Sequence, residues 1–158
     1  MRYWLFKSEP DSYGLDHLER DGTTPWSGVR GFQARNNMLA MKLGDGGVFY
    51  HSSIAQPAAV GIIEVVREAY PDFTAWDRKS EYYDPRSSKT KPLWWMVDVK
   101  FVKGLARPVT LAQMRSEPRL SGMALLRRGQ RLSVQPVLPH EWKIVVELSR
   151  RPATDGDA

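Results

Sequence analysis

The chain has no cysteine among its 158 residues. That excludes disulfides, thiolate nucleophiles and cysteine-bound metals, and it is compatible with a reducing compartment. It also has no run of 18 apolar residues that would cross a bilayer as a helix. Its first residues, MRYWLFKSEP, lack the long apolar core of a signal peptide, so a cytoplasmic location is the expectation. Histidine is scarce. His17, His51 and His140 are the three present, and no two stand at the i, i+4 spacing that puts a metal pair on one helix face. Each is expected to be structural, and no metal or cofactor is expected. Gly44 to Gly47 lacks the lysine and hydroxyl of a phosphate loop, and there is no G-x-S-x-G elbow. Repeats, low-complexity tracts and dividing linkers are missing as well, so one domain over residues 1–149 with a flexible tail over 150–158 is expected.

What is present points to a mixed α and β chain. Tyr3 to Lys7 is aromatic and aliphatic enough for a buried strand, which Pro10 ends. Ser12 is placed to cap a helix over Tyr13 to Arg20, closed by Asp21-Gly22. Pro25 to Val29 reads as extended. Phe32, Asn36, Leu39 and Leu43 then recur at helical spacing through Gly31 to Leu43. After the turn Gly44 to Gly47, Val48 to His51 and Ala59 to Arg67 read as antiparallel strand neighbours. Glu68 to Pro92 has no clean period, and a loop that long inside a compact domain is usually functional or disordered. Trp94 to Val102 alternates as a half-buried strand does. Thr110 with Gln113 makes a capping box for a helix that Glu117-Pro118 ends. Ser121 is placed to cap a short helix through Arg127, Leu132 to Val134 reads as a strand, and Pro139 to Leu148 as a last helix with strand as the alternative. The sum is an α+β architecture around one twisted, barrel-like sheet.

The function signals compete. A formal net charge of +5 favours a polyanionic partner, because each lysine or arginine placed on a phosphate releases a counterion. Six tryptophans exceed what so short a core needs, and aromatic faces stack on nucleobases. Trp4, Trp95 and Trp142 sit on patterned elements and read as core. Trp26, ahead of Ser27-Gly28, and Trp76, inside the irregular stretch, are open to pocket or core, with the pocket favoured. Lys7, Ser8 and Ser27 add hydrogen-bonding groups for base edges. Arg30, Arg35, Arg127, Arg128 and Arg131 are the candidate phosphate contacts, against the plainer reading of a solvated face. One enzyme pattern survives: Pro71-Asp72 with Asp98-Val99-Lys100 matches the loose acid, acid-x-lysine arrangement of magnesium-dependent nucleases. Asp98 and Lys100 would point to one face of a strand.

Several motifs together resemble the EVE domain family. They include WLFKSEP at Trp4–Pro10, WSGVR at Trp26–Arg30, ARN at Ala34–Asn36, FYHS at Phe49–Ser52 and GIIEV at Gly61–Val65. YPD at Tyr70–Asp72, WMVDV at Trp95–Val99 and LLRRGQRLSVQPV at Leu125–Val137 continue them in the family's order. The resemblance implies a PUA-like pseudobarrel of mostly antiparallel strands with flanking helices, related to YTH and ASCH domains. It also implies a non-catalytic module that reads a modified base, cytosine modifications foremost, in DNA or RNA. YTH domains hold N6-methyladenine in an aromatic cage, and their Lys-Ser and Trp-Ser pairs are similar to Lys7-Ser8 and Trp26-Ser27. By that likeness Trp26 is one stacking wall, and the loop Tyr70 to Tyr83 supplies the other, with Trp76 the first choice. Ser8, Ser27 and Asn36 would bond the base edge, and Lys7, Glu9, Gly28, His51 and Ser52 would complete the pocket. A nuclease using Asp72, Asp98 and Lys100, and a module for small molecules or proteins, stay open as alternatives. The oligomeric state is not readable.

Overall fold

The computed structural model describes residues 1–152. Six strands form one sheet in the order β2-β5-β4-β3-β1-β6. These are β1 (Tyr3–Ser8), β2 (Thr23–Pro25), β3 (Gly46–His51), β4 (Ala58–Pro71), β5 (Trp95–Thr110) and β6 (Val134–Val137). All neighbours are antiparallel except β1 and β3, which run parallel. That pair needs a long crossover, and α1 (Pro10–Tyr13), α2 (Leu15–Asp21) and α3 (Phe32–Ala40) lie within it. The sheet is open, because its outermost strands, β2 and β6, do not pair. It is nevertheless strongly curled. Trp26, just past the edge strand β2, packs edge-on against Phe6 of β1 at 5.2 Å and Phe49 of β3 at 5.6 Å. The long β4–β5 ladder carries four register shifts, and such irregularities bend and twist a strand pair.

Two apolar clusters fill the two faces. Trp4 and Phe6 of β1 join Trp26, Phe49, Val97 and the α3 residues Ala34 and Met38 on one face. Leu5 of β1 turns to the other, against Tyr50, Met114 of α4 (Leu111–Arg115) and Ile144 and Leu148 of α5 (Pro139–Arg150). Alternation along a strand with both faces covered makes β1 an almost uninterrupted apolar run. Trp4 is fixed in place by its indole N–H, which donates to buried Asp45 at 3.0 Å.

Several expectations need correction. The first helix is divided at Gly14, whose extended backbone (ψ 174°) caps α2 in place of Ser12. α3 ends at Ala40, short of the expected Leu43, and its periodic set faces outward, with Phe32 51% and Leu39 42% exposed. The buried side is Ala34, Asn37 and Met38, because the Asn37 amide donates to the Val134 carbonyl at 2.8 Å and ties the helix to β6. Gly46-Gly47 belongs to β3 and not to the preceding turn. A side chain at Gly47 would lie 2.7 Å from Ile63 and 2.9 Å from Phe6, so the glycine permits close packing. The capping box at Thr110 and Gln113 and the helical form of the last element stand as expected. Of the expected tail, Arg150 still belongs to α5, and 153–158 lie outside the described residues.

Candidate functional site

A cleft of about 510 Å³ opens where the curl brings the end of β1 to the segment leaving β2. Lys7, Ser8 and Glu9 form one side, and Trp26, Ser27, Gly28 and Arg30 the other. Tyr13, Glu81, Tyr82 and Ser133 complete the rim. The cleft thus gathers six of the ten residues expected to form the pocket, together with Arg30 from the expected phosphate contacts. Ser8 Oγ donates to the Tyr13 carbonyl at 2.6 Å, which orients the hydroxyl and leaves its lone pairs to accept. Lys7 is half-buried and has no ion-pair partner among the described residues. Burial lowers its pKa from the ordinary lysine value, because desolvation disfavours the charged ammonium.

Trp26 is only 8% exposed and belongs to the core cluster even though it also lines the cleft. Its two roles are not alternatives. Gly28 follows in a left-handed conformation (φ 83°), and a Cβ there would meet the Tyr82 ring at 2.7 Å. Both facts restrict the position to glycine.

Asp72 holds this wall in place. It is fully buried, and both of its oxygens are occupied: Oδ2 accepts from Gly28 N–H at 2.8 Å and Arg30 Nη1 at 3.1 Å, and Oδ1 accepts from the Thr74 N–H at 2.9 Å and from the Thr74 hydroxyl. Arg30 in turn donates from Nε and Nη2 to the Tyr82 carbonyl at 3.1 and 2.8 Å, from Nη1 to the Val29 carbonyl and from Nη2 to Thr74 Oγ1. A guanidinium has five N–H groups, and these contacts engage all of them. Arg30 is therefore a clamp between the Gly28 segment and the Tyr82 loop, and the expected phosphate contact is corrected on that ground.

Other expected residues lie elsewhere. Asn36 is on the exposed side of α3, where its carbonyl accepts from Arg35. Arg35 itself reaches the Leu93 carbonyl at 3.1 Å and sits over the Phe32 ring. Ser52 donates its backbone N–H to the Ser8 carbonyl at 3.0 Å. Trp76 ends a short 3-10 turn, Phe73–Trp76, outside the cleft. The aromatic residue that the irregular stretch brings to the rim is Tyr82 instead. Arg127, Arg128 and Arg131 are exposed, on the loop that leads to Ser133. The nuclease constellation does not assemble: Asp72 is consumed as described, Asp98 accepts from the Tyr70 hydroxyl, and Lys100 pairs with Glu64 at 3.8 Å. No group of three or more histidine, cysteine or acidic side chains disposed to hold a metal occurs among the described residues.

His51 also stands outside the cleft, as a support for its floor. Its Nε2 accepts from the Leu15 N–H at 3.1 Å, while His17 Nδ1 accepts from the Gly14 N–H at 2.7 Å. Two successive backbone donors at the α1–α2 junction thus end on imidazole nitrogens. Burial lowers the His51 pKa below its ordinary 6.5, with Asp16 opposing in part. The unfolded chain therefore takes up this proton first on acidification. The contribution of His51 is complete above about pH 6.5 and is lost as pH falls through the lower folded value. Urea midpoints at pH 7.5 and 5.0 are expected to fall further in the wild type than in His51→Gln, whose amide oxygen accepts the same N–H without titrating. Parallel losses would remove His51 from the acid response.

Comparison with known proteins gives one consistent result. A model of the EVE domain matches residues 2–148. Human thymocyte nuclear protein 1 is 39% identical over 94% of this chain and 74% of its own length. The structure of the human protein in complex with DNA containing 5-methylcytosine has a TM-score of 0.90 at 38% identity, covering 97% of this chain and 100% of that one. The YTH domain of a Zygosaccharomyces rouxii protein, solved with N6-methyladenosine RNA, has a TM-score of 0.53 at 14% identity over 98% of this chain and 87% of its own. That last likeness concerns the fold alone.

Proposed function

The chain belongs to the EVE domain family, and from that membership we propose that it binds DNA or RNA without catalysis and receives a modified base, modified cytosine foremost, in the cleft between β1 and the segment leaving β2. The observation that carries the reading is the match, across 97% of the chain, to a structure that holds 5-methylcytosine DNA. The cleft supports it with an indole, a tyrosine ring and small hydrogen-bonding groups around one opening.

The mechanism is equilibrium binding. A nucleotide leaves its stack at a cost of a few kcal/mol and enters the cleft, where Lys7, Ser8 and Ser27 face the base edge. Arg127, Arg128 and Arg131 supply the phosphate contacts in place of Arg30. A methyl group filling apolar space contributes about 1–3 kcal/mol, so preference for the modified base should be about tenfold to a hundredfold. The engagement of Asp72 and Asp98 in the fold favours this reading over a nuclease.

The test is a titration of short DNA and RNA oligonucleotides, unmodified or carrying 5-methylcytosine, 5-hydroxymethylcytosine or N6-methyladenine, at two salt concentrations. Tighter binding of a modified cytosine, weakening steeply with salt, is expected. Equal affinity for every member of the panel would overturn the reading.

A further inference from the structure

A second depression of about 320 Å³ adjoins the cleft and shares Arg30, Glu81 and Tyr82 with it. Past that common wall its lining is Tyr83, Asp84, Pro85, Arg86 and Trp94. Tyr82, on the shared wall, and Tyr83, in the second depression, are 39% and 38% exposed, so two consecutive aromatic side chains are open to solvent here. Their backbone is fixed from below. Asp84 accepts from the Trp94 indole at 2.7 Å and from Arg86 Nη2 at 2.9 Å, and its own N–H donates to the Ala75 carbonyl at 2.8 Å. Trp94 is itself buried and stacked beneath Phe32 at 5.0 Å. A platform set this way loses little freedom on binding.

A single base in the cleft makes no use of this surface. We propose that the second depression is the subsite for the nucleotide adjoining the modified one, with its base laid against Tyr83 and Pro85. The proposal rests on the modified-base reading of the cleft. The neighbouring base is tethered one phosphodiester from the first, so it is presented to the shared Tyr82 wall at high effective concentration. Aromatic faces stack on any base because every base has a π-face. Two carboxylates line the subsite, Glu81 and Asp84, and Asp84 is already committed to Trp94 and Arg86. The subsite therefore requires that a neighbouring base be present and selects weakly for which one it is.

The experiment uses a short oligonucleotide with one central 5-methylcytosine, either intact or with an abasic residue on one side or the other. The phosphates, and with them the salt-dependent part of binding, are unchanged. An abasic residue on one side is expected to weaken binding about fivefold to a hundredfold, while the same change on the other side has little effect. Tyr83→Ala should reproduce that loss with the intact oligonucleotide and add nothing to it with the abasic one. Equal affinity for the intact and both abasic forms would overturn the subsite, as would a Tyr83→Ala loss that is the same for all three. The methylated and unmethylated versions of each oligonucleotide report separately on the cleft. A neighbour effect with no preference for methylation would sink the cleft reading and leave a plain stacking surface.

Discussion

Asp72→Ala is expected to lower the unfolding free energy by about 3 kcal/mol and to abolish selective binding. Removing one partner of a buried ion pair typically costs about 3–5 kcal/mol, since the other charge is left uncompensated. The lower end applies because the Arg30 side chain keeps 23% exposure while Asp72 has none. The same substitution strands the Gly28 N–H and the Thr74 donors. For a domain whose total stability is about 5–15 kcal/mol, the variant should still fold, with a visibly lower urea midpoint. Binding should suffer more than folding, because Asp72 fixes both Gly28 and, through Arg30, the loop that carries Tyr82. Asp72→Asn keeps the shape and one acceptor but not the charge, and it should fall between the two. An Asp72→Ala midpoint equal to that of the wild type would show that the Gly28 segment is held by something else.

Trp26→Ala should be nearly as damaging, in a way that does not by itself reveal function. Truncating a buried tryptophan costs about 3–5 kcal/mol through lost transfer energy and the cavity left behind. Here the ring is edge-on to Phe6 and Phe49 at the junction that keeps the sheet curled. Loss of binding in that variant would accompany loss of structure. Trp26→Phe separates the two. It refills most of the core at a cost of about 1–2 kcal/mol, while offering a smaller face to a base. Stacking contributes about 1–3 kcal/mol per base, so a several-fold weaker affinity with a modestly lowered midpoint is expected. Unchanged affinity would make Trp26 core alone and leave Tyr82 as the aromatic wall of the cleft.

Much of the scaffold was legible because it is built from local rules. The β1 run Tyr3–Ser8, the capping box at Thr110 and Gln113, and Pro139 at the start of α5 each carry their reason within a few residues. The features that local sequence misplaces depend on partners distant in the chain. Outward-facing Phe32 and Leu39 follow the helical period as well as core residues do, and the Asn37 bond to Val134 marks which side of α3 is buried. Arg30 reads as a phosphate ligand until four of its five donors are matched with Asp72, Thr74 and Tyr82, more than 40 residues away. Tyr82 and Trp76 are equivalent as aromatics in an irregular stretch, and what separates them is how the Asp84 bonds to Ala75 and Trp94 fold that stretch. No local signal marks Asp72 as their anchor. Its neighbourhood Tyr70-Pro71-Asp72 was visible as a motif, but not what it holds.

The placement of β1 has a consequence for a chain still on the ribosome. β1 is made before the rest of its sheet, yet one of its neighbours, β6, begins at Val134, and the Lys7 N–H waits for the Ser133 carbonyl. At synthesis rates of about 5–20 residues per second, that edge and the aromatic side chains beside it stay unpaired for on the order of ten seconds. Within this sheet, the strand that precedes the others in the chain is thus among the last to be completed. Nascent fragments that stop short of Val134 present a bare, apolar strand edge, the kind of surface that pairs with other chains, and the cleft beside it has no Ser133 side until nearly the whole domain has been made.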